Sequence, residues 1–271
     1  MTTRIVTGAG LLALLFFALW MGGWVFAILW VACVMIAVAE EFHVLSAAGH
    51  RPVAWPTWAA LIISIPGFLM LGAGKATGLL IAVVLFTFLI VCANVLFRSN
   101  PLLEDMLFSI LPLMSVALPG MSLLALTGVE TGLQRVLLGL VFFVPVVGDT
   151  LAYFVGVRYG HVKLNPIVSP KKTLEGAVGG LVGSTLTALA VYLIATAFGN
   201  NMPSIWHFLV IGFLGGLVGQ LGDLFASIVK RHCDVKDFGH IFPGHGGMMD
   251  RLDSILFVAV FIYTYHELFL S

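Results

Sequence analysis

The sequence predicts an all-α polytopic membrane protein with about nine transmembrane helices and a cytoplasmic N-terminus. Of its 271 residues, 60% are apolar and only 10% are charged, and the mean hydropathy is +1.09. Soluble domains are about 45–50% apolar and about 25% charged, so this chain has too few charges to cover a water-exposed surface. Its apolar runs are continuous and do not alternate, which argues against a membrane β-barrel. The 13 basic and 13 acidic residues balance, so no nucleic-acid partner is expected.

Hydropathy windows of about 20 residues define the helices in order. Pro112 and Pro119 interrupt the fifth window, which predicts a kinked or partly re-entrant segment there. The first apolar run continues into the second without a small-residue cleavage site, so we expect a retained helix and no signal peptide. The nine predicted helices cover residues 5–22, 24–45, 57–72, 76–97, 101–127, 134–157, 174–198, 205–229 and 252–270.

The positions of the basic residues predict the orientation, because cytoplasmic loops carry an excess of Lys and Arg. With the N-terminus inside, only Lys75 and Arg135 of the 13 basic residues fall outside. The others are Arg4, Arg51, Arg98, Arg158, Lys163, Lys171, Lys172, Lys230, Arg231, Lys236 and Arg251.

Composition divides the chain into two parts. Residues 1–125 are almost purely apolar, with acids such as Glu40 and Glu41 assigned to loop positions, and are predicted to form a scaffold. Residues 126–271 carry acids within the apolar runs and are predicted to form the catalytic part. Its cytoplasmic loops are predicted at 158–173 and 229–251.

Two aspartates lie inside predicted membrane helices. Asp149 lies about nine residues from the inner end of the sixth helix, and Asp223 about seven residues before Lys230 in the eighth. At about 1.5 Å per residue, both lie roughly 10–14 Å below the inner surface. An ionised carboxylate at that depth costs several kcal/mol unless it faces a cavity, a cation or a partner. We therefore expect a cation or proton site; the alternative is a pair of structural acids bonded to Ser or Thr.

The segment 227–254 combines charges of both signs with a Pro-Gly-His-Gly-Gly core at 243–247. Glycine backbone lets main-chain N–H groups approach phosphate oxygens, and nearby cations supply the counter-charge. Asp250 and Asp253 are three residues apart at a helix start and share a face. Two such oxygen ligands suit a Mg²⁺ ion that carries phosphates. A solvated charged loop would explain the charges but not the glycine-rich core.

A second basic loop spans 158–176. Ser169-Pro170 is expected to begin a turn, and Lys171-Lys172 are exposed charges ahead of the next helix, which Thr173 and Glu175 open. A helix N-terminus preceded by two lysines can hold an anion. The alternative is that these lysines only fix the orientation, but the presence of the other loop favours phosphate binding.

The segment 227–253 resembles the signature of the phosphatidate cytidylyltransferases, also called CDP-diacylglycerol synthases. Residues 169–176 resemble a second loop of that family, and residues 149–156 resemble its Asp-containing helix. The resemblance covers about residues 145–260, and the first 125 residues only in hydropathy. The matching signature residues are Ser227, Lys230, Arg231, Lys236, Asp237, Gly239, Phe242 to Met248, and Asp250 to Asp253.

The resemblance implies that CTP and phosphatidic acid react to give CDP-diacylglycerol and pyrophosphate for phospholipid synthesis. It implies Mg²⁺ as cofactor, with K⁺ as a further candidate, and a site in the bacterial inner membrane that faces the cytoplasm. The protein is expected to lie among membrane lipids, and a homodimer is possible. The predicted metal ligands are Asp223, Asp250 and Asp253. The predicted catalytic residues are Asp223, Asp250, Lys236 and His245. The predicted substrate contacts are Asp149, Ser169, Lys171, Lys172, Lys230, Arg231, Gly244, Gly246 and Gly247.

Two other functions are compatible with parts of the sequence. A related CTP-using enzyme would act on another lipid phosphate, such as an archaeol phosphate, or on a polyprenol. A cation-coupled transporter would use Asp149 and Asp223 as ion ligands. A transporter has no use for a 27-residue phosphate-type loop, and its substrate site usually lies between repeats at the membrane midplane. The signature therefore favours nucleotidyl transfer.

Overall fold

The computed structural model describes residues 2–71, 73–129, 131–199 and 202–270. The side chains of Arg4 and Lys75, two of the basic residues used to predict the orientation, lie outside the described part. In the described ranges the helices are α1 Thr2–Met21, α2 Gly23–Ala47, α3 Trp55–Leu71, α4 Ala73–Leu96, α5 Leu103–Pro112, α6 Leu118–Leu126, α7 Thr131–Tyr159, α8 Leu174–Ala197, α9 Ile205–His232 and α10 Met249–Phe269.

The predicted class is confirmed. Seven helical segments in the described ranges are long and apolar enough to cross a membrane, and Thr7–Met21 is a shorter apolar helix. Large apolar side chains on these helices stay exposed, such as Ile28 at 66% and Phe86 at 67%. Lipid is the solvent that suits such a surface. The chain is an all-α polytopic membrane protein.

The predicted fifth helix is one continuous segment built from three parts. A π-helical turn, Leu113–Ala117, joins α5 to α6, and Pro119 lies just after it. Proline lacks an N–H, so a regular α-helical ladder cannot be completed at that point, and a wider turn is one way to accommodate it. Ser115 in the turn donates through Oγ to the Leu111 carbonyl at 2.7 Å. The interruption expected here is therefore a π turn.

The chain divides into two compact units. Unit 1 comprises Met1–Val129 and His232–Leu252, and unit 2 comprises Glu130–Arg231 and Asp253–Ser271. The glycine-rich loop thus packs with the N-terminal helices, although it lies more than 100 residues after them in the chain.

Three local expectations were wrong. The second loop folds as an antiparallel hairpin of β1 Lys163–Asn165 and β2 Ser169–Thr173, so Ser169-Pro170 begins a strand and not a turn. Helix α10 begins at Met249, three residues earlier than predicted. Glu40 and Glu41 are buried within α2 and do not lie in a loop.

The glycine-bearing helices α8 and α9 pack closely in unit 2. A Cβ atom added at Gly212 of α9 would lie 2.8 Å from both the Thr185 Cα and the Ala188 Cβ of α8. Gln220 of α9 also donates through Nε2 to the Ala177 carbonyl at 2.9 Å. The backbones of α8 and α9 therefore approach more closely than any larger residue at Gly212 would allow.

Candidate functional site

An ion pair joins the hairpin to α9 within unit 2. The Lys172 ammonium contacts Asp223 Oδ2, and the two side chains are 28% and 26% exposed. Successive residues of a strand point to opposite sides, so Lys172 turns toward Asp223 while Lys171 stays exposed. The Asp223 carboxylate, inside a membrane-crossing helix, is thereby compensated by a cation.

Two further aspartates lie near this pair. Ser254 of α10 donates through Oγ to Asp149 Oδ2 at 3.3 Å, and its backbone N–H donates to Asp253 Oδ1 at 2.8 Å. Asp253 is close enough to Asp223, Asp149 and Lys230 to interact electrostatically with all three. The aspartate cluster, defined here as Asp149, Asp223 and Asp253 with Lys172 and Lys230, contains three carboxyl groups and two amino groups.

A glycine brings α9 and α10 together at the aspartate cluster. A Cβ atom at Gly222 would lie 2.6 Å from the Asp253 carbonyl oxygen and 2.9 Å from the Phe257 ring. Any side chain at this position would push α10 away from α9. Gly222 directly precedes Asp223, so this contact also fixes the distance between Asp223 and Asp253.

The aspartate cluster offers carboxylate oxygens to a divalent cation but not a complete set of ligands. No three His, Cys, Asp or Glu side chains of the described ranges converge as a complete metal-binding group. Mg²⁺, however, often takes one or two carboxylates and completes its shell with water and phosphate oxygens. The Lys172 ammonium already lies against Asp223 Oδ2, so that oxygen faces a position suited to positive charge.

The hairpin leads directly into α8. The Thr173 Oγ1 accepts from the Gly176 N–H at 3.2 Å and caps the helix, as predicted for this helix start. Glu175 accepts from the Val162 N–H at 3.2 and 3.3 Å. Both contacts tie the hairpin to the first turn of α8, which fixes where Lys172 can lie.

In unit 1 the glycine-rich core forms a tight bridged turn. The Phe242 N–H donates to the Gly246 carbonyl at 3.0 Å, and the His245 N–H donates to the Phe242 carbonyl at 2.9 Å. Gly244 and Gly246 have φ values of +78° and +81°, which residues with a side chain rarely adopt. These two glycines are therefore required by backbone conformation.

Asp250 holds this loop from its own helix. Its Oδ2 accepts from the Phe238 N–H at 2.7 Å and from the Gly247 N–H at 3.0 Å, and the residue is 7% exposed. A carboxylate that accepts two backbone N–H groups makes strong, charge-assisted hydrogen bonds. Within unit 1, Asp250 thus orders the segment that contains the predicted phosphate contacts.

The remaining predicted residues differ in exposure. Lys236 and Arg231 are exposed, and Lys230 is half-buried. His245 is partly buried, and its Nδ1 has no hydrogen-bond partner among the described residues. Unit 2 contains Asp149, Ser169, Lys171, Lys172, Asp223, Lys230, Arg231 and Asp253, and unit 1 contains Lys236, Gly244, His245, Gly246, Gly247 and Asp250.

Glu40 contacts the loop but was not among the predicted site residues. Its Oε2 accepts from the Met249 N–H at 2.9 Å, and only 9% of the residue is exposed. The sequence contained a signal for it, because an acid inside an apolar run of helical length is a functional candidate. Because Glu40 was assigned to a loop, it was not considered as a site residue.

Comparison with known proteins identifies the family of the chain. The sequence profile of the cytidylyltransferase family matches residues 2–269. The phosphatidate cytidylyltransferase of Bacillus subtilis (strain 168) is 49% identical over 121 residues, which are 45% of this chain and 44% of that protein. Proteins of the same name from Staphylococcus saprophyticus and Staphylococcus aureus (strain COL) are 39% and 38% identical over 178 residues, 65% of each chain.

The aligned segments therefore span less than two thirds of these relatives' lengths. The family profile, in contrast, extends over nearly all of the present chain. It includes the aspartate cluster of unit 2 and the glycine-rich loop of unit 1. The chain belongs to the cytidylyltransferase family.

Proposed function

We propose that this chain transfers the cytidylyl group of CTP to phosphatidic acid and so produces CDP-diacylglycerol and pyrophosphate. The observation that carries the proposal is the aspartate cluster, in which lysines from a loop and a helix end meet carboxylates of membrane-crossing helices. Family membership and relatives named phosphatidate cytidylyltransferase support it. A charged cluster on membrane helices suits a reaction between a water-soluble anion and a lipid.

The chemistry requires charge compensation more than proton transfer. A phosphate oxygen of phosphatidic acid forms a bond to the α-phosphorus of CTP, while the bond from that phosphorus to the oxygen bridging to the β-phosphate breaks. The acceptor is already an anion, so no strong general base is required. The main barrier is the approach of two negatively charged reactants, which preorganised cations lower.

The lysines and the glycine-rich loop are proposed to bind phosphate groups. Within unit 2, Lys172 and Lys230 supply positive charge at the aspartate cluster, and Lys171 and Arg231 are exposed. Within unit 1, Lys236 is exposed. The Phe242, His245 and Gly247 N–H groups donate within unit 1, so the Gly244 and Gly246 N–H groups, with the His245 ring, are proposed to hold CTP phosphate oxygens. Ser169 begins the strand that presents the two lysines and is proposed to contact phosphate oxygens bound by them.

Asp223 and Asp253 are the proposed ligands of Mg²⁺, and Asp149 lies beside them. When bound, Mg²⁺ supplies positive charge that reduces the repulsion between the triphosphate and the lipid phosphate. Asp250 was also predicted from the sequence as a ligand of Mg²⁺, and this stays a proposal. Its hydrogen bonds to Phe238 and Gly247 in unit 1 give it a second function, which is to order the loop. The proposal includes a site that faces the cytoplasm, where CTP is available.

A direct assay tests the proposed function. Purified protein in lipid nanodiscs receives Mg²⁺, labelled CTP and dioleoyl phosphatidic acid, with and without K⁺. We expect CDP-diacylglycerol and pyrophosphate in equal amounts, and no product without Mg²⁺. The Asp223→Asn variant serves as the control for contaminating activity.

The acceptor decides between the proposal and its alternative. An archaeol-type lipid phosphate and a polyprenol are offered under the same conditions. Product with one of these and none with phosphatidic acid would move the function to the related lipid substrate. No consumption of CTP with any acceptor would refute nucleotidyl transfer.

A further inference from the structure

We propose that Glu40 of α2 is a positioning residue for the reaction, and that it fixes the glycine-rich loop and the first turn of α10. The expected effect of Glu40 on catalysis rests on the proposed use of CTP, whereas the contact of Glu40 with the glycine-rich loop does not. Glu40 and residues 238–250 all belong to unit 1. Glu40 lies 209 residues before Met249 and accepts a hydrogen bond from the Met249 N–H. Only the folded chain brings these two residues together.

Two glycines of the loop leave the space for this carboxylate. A Cβ atom at Gly239 would overlap Glu40 Oε1, and one at Gly247 would overlap both Glu40 carboxylate oxygens. Neither glycine has a positive φ, in contrast to Gly244 and Gly246. Backbone conformation therefore does not require glycine at these two positions. Glycine is needed there because any side chain would overlap the Glu40 carboxylate.

Gly247 links Glu40 to Asp250. Its N–H donates to Asp250 Oδ2 at 3.0 Å, and its Cα lies against the Glu40 carboxylate. Glu40 thus limits where Gly247 can lie, and Asp250 is hydrogen-bonded to the same residue. The proposed phosphate contacts between 242 and 247 are held at their C-terminal end by two carboxylates from different helices.

The cost of burying Glu40 indicates a function for its charge. The residue is 9% exposed, and its Oε1 has no hydrogen-bond partner among the described residues. Burial of a carboxylate oxygen without a partner is unfavourable by several kcal/mol in general terms. Oε2 lies at the N-terminal end of α10, where the helix dipole favours negative charge. Glutamine would keep the shape of the side chain but lose this charge.

Glu41 provides the matched control. It is fully buried beside Glu40, but its Oε2 lies 2.7 Å from Ser115 Oγ of the π turn, whose single hydrogen is shared with the Leu111 carbonyl. Glu41→Gln therefore replaces a buried carboxyl group in the same helix turn without changing the contact to the loop. A general effect of carboxyl replacement in α2 would appear in both variants.

The first test compares Glu40→Gln with Glu41→Gln by hydrogen exchange in nanodiscs without substrate. We expect faster exchange of the peptide covering residues 238–250 in Glu40→Gln and unchanged exchange there in Glu41→Gln. With CTP and phosphatidic acid, we expect the KM for CTP to rise about tenfold in Glu40→Gln only, as for loss of a charge-assisted hydrogen bond. Equal exchange and equal KM in the two variants would overturn the proposal.

The second test uses compensation. Gly247→Ala should reduce kcat/KM for CTP about 100-fold, because its methyl group collides with the Glu40 carboxylate and displaces the loop. Glu40→Asp withdraws the carboxylate by one methylene, so the double variant should recover about tenfold relative to Gly247→Ala. A double variant no more active than Gly247→Ala would contradict the steric contact. If the wild type fails to use CTP, the proposed function fails, and the exchange measurement alone then decides the role of Glu40.

Discussion

Asp223 and Asp250 were predicted from the sequence as two ligands of one metal, but their surroundings differ. Asp223 is 26% exposed and faces the Lys172 ammonium. Asp250 is buried and accepts two backbone N–H groups of its own loop. The same substitution should therefore have different consequences at the two positions.

Asp223→Asn should abolish turnover with little loss of stability. The amide removes the charge that we propose to hold Mg²⁺, and it leaves Lys172 without its ionic partner. We expect kcat to fall by about 100-fold or more, with a thermal midpoint in detergent close to that of the wild type. Turnover measured over a range of Mg²⁺ concentrations tests this, and wild-type activity at low Mg²⁺ would contradict it.

Asp250→Asn should abolish turnover and also loosen the loop. The amide oxygen can still accept a hydrogen bond, but the bonds from Phe238 and Gly247 lose their charge assistance, worth about 1.5–3 kcal/mol each at most. We expect a lower thermal midpoint and faster hydrogen exchange at residues 238–247. A variant that is inactive but exchanges like the wild type would assign Asp250 to metal binding alone.

Asp234→Asn is the control for both variants. Asp234 is exposed, and its φ of +54° is one that asparagine adopts readily. It lies outside the sequence signature. We expect it to keep substantial activity, so that a loss shared by all three variants would indicate a nonspecific effect of charge removal.

At the scale of elements, the contact of α8 with α9 depends on the absence of side chains. A leucine at Gly212 would have to displace Thr185 and Ala188. Overpacking of this kind costs about 1–3 kcal/mol or more. We expect Gly212→Leu to lower the thermal midpoint in detergent by about 5 °C or more.

Gly78 in α4 is the matched control for this prediction. Among the described residues, no atom outside the backbone of its own helix lies within 4 Å of a Cβ added there, and its φ is not positive. Gly78→Ala should leave the midpoint unchanged or raise it, because alanine favours helix. If Gly212→Leu melts like Gly78→Ala, the close approach of α8 and α9 is not important for stability.

The elements were predictable where a periodic or compositional signal is strong. Apolar runs gave the helices to within a few residues, because in lipid every backbone group must be paired within the segment. The β-hairpin was missed, since Ser169-Pro170 followed by two lysines has the composition of a turn. The start of α10 was placed too late because Met248 and Met249 gave no capping signal of their own. That helix is capped by Glu40, a residue distant in sequence.

At the scale of the whole molecule, the sequence predicts candidate site residues but not which of them pack in the same unit. The sequence signature is a contiguous segment, and it was assigned to one catalytic part. In the structure His232–Leu252 packs in unit 1, while Asp223 and Asp253 belong to unit 2. Such grouping follows from long-range packing, which neither hydropathy nor motif spacing encodes.

The orientation in the membrane can be tested with new cysteines. Cys233 is a poor probe, because burial and, secondarily, the Glu41 carboxylate raise the pKa of its thiol, and only 7% of it is exposed. In a variant without the three native cysteines, Ile167→Cys on the hairpin and Phe198→Cys after α8 are suitable, being 87% and 83% exposed in the wild type.

A membrane-impermeant maleimide should label the cysteine at position 198 in intact bacterial cells, and the one at position 167 only after the cells are opened. The two positions flank α8, so they lie at opposite ends of one membrane-crossing helix. The reverse pattern would invert the topology and remove the cytoplasmic site. Labelling of both positions in intact cells would show that α8 does not span the membrane.

The Lys172–Asp223 pair also bears on how α9 enters the bilayer during synthesis. An aspartate near the middle of a helix opposes insertion by about 2.5–3.5 kcal/mol, and the many glycines of α9 add little apolar surface to offset it. Lys172 is synthesised 51 residues earlier than Asp223 and lies just ahead of α8, so it can already be present at the membrane when α9 emerges. Partial neutralisation by this lysine would make α9 easier to insert after α8 than alone. Lys172→Met should therefore reduce the fraction of chains in which α9 is inserted, a loss separate from any effect on catalysis.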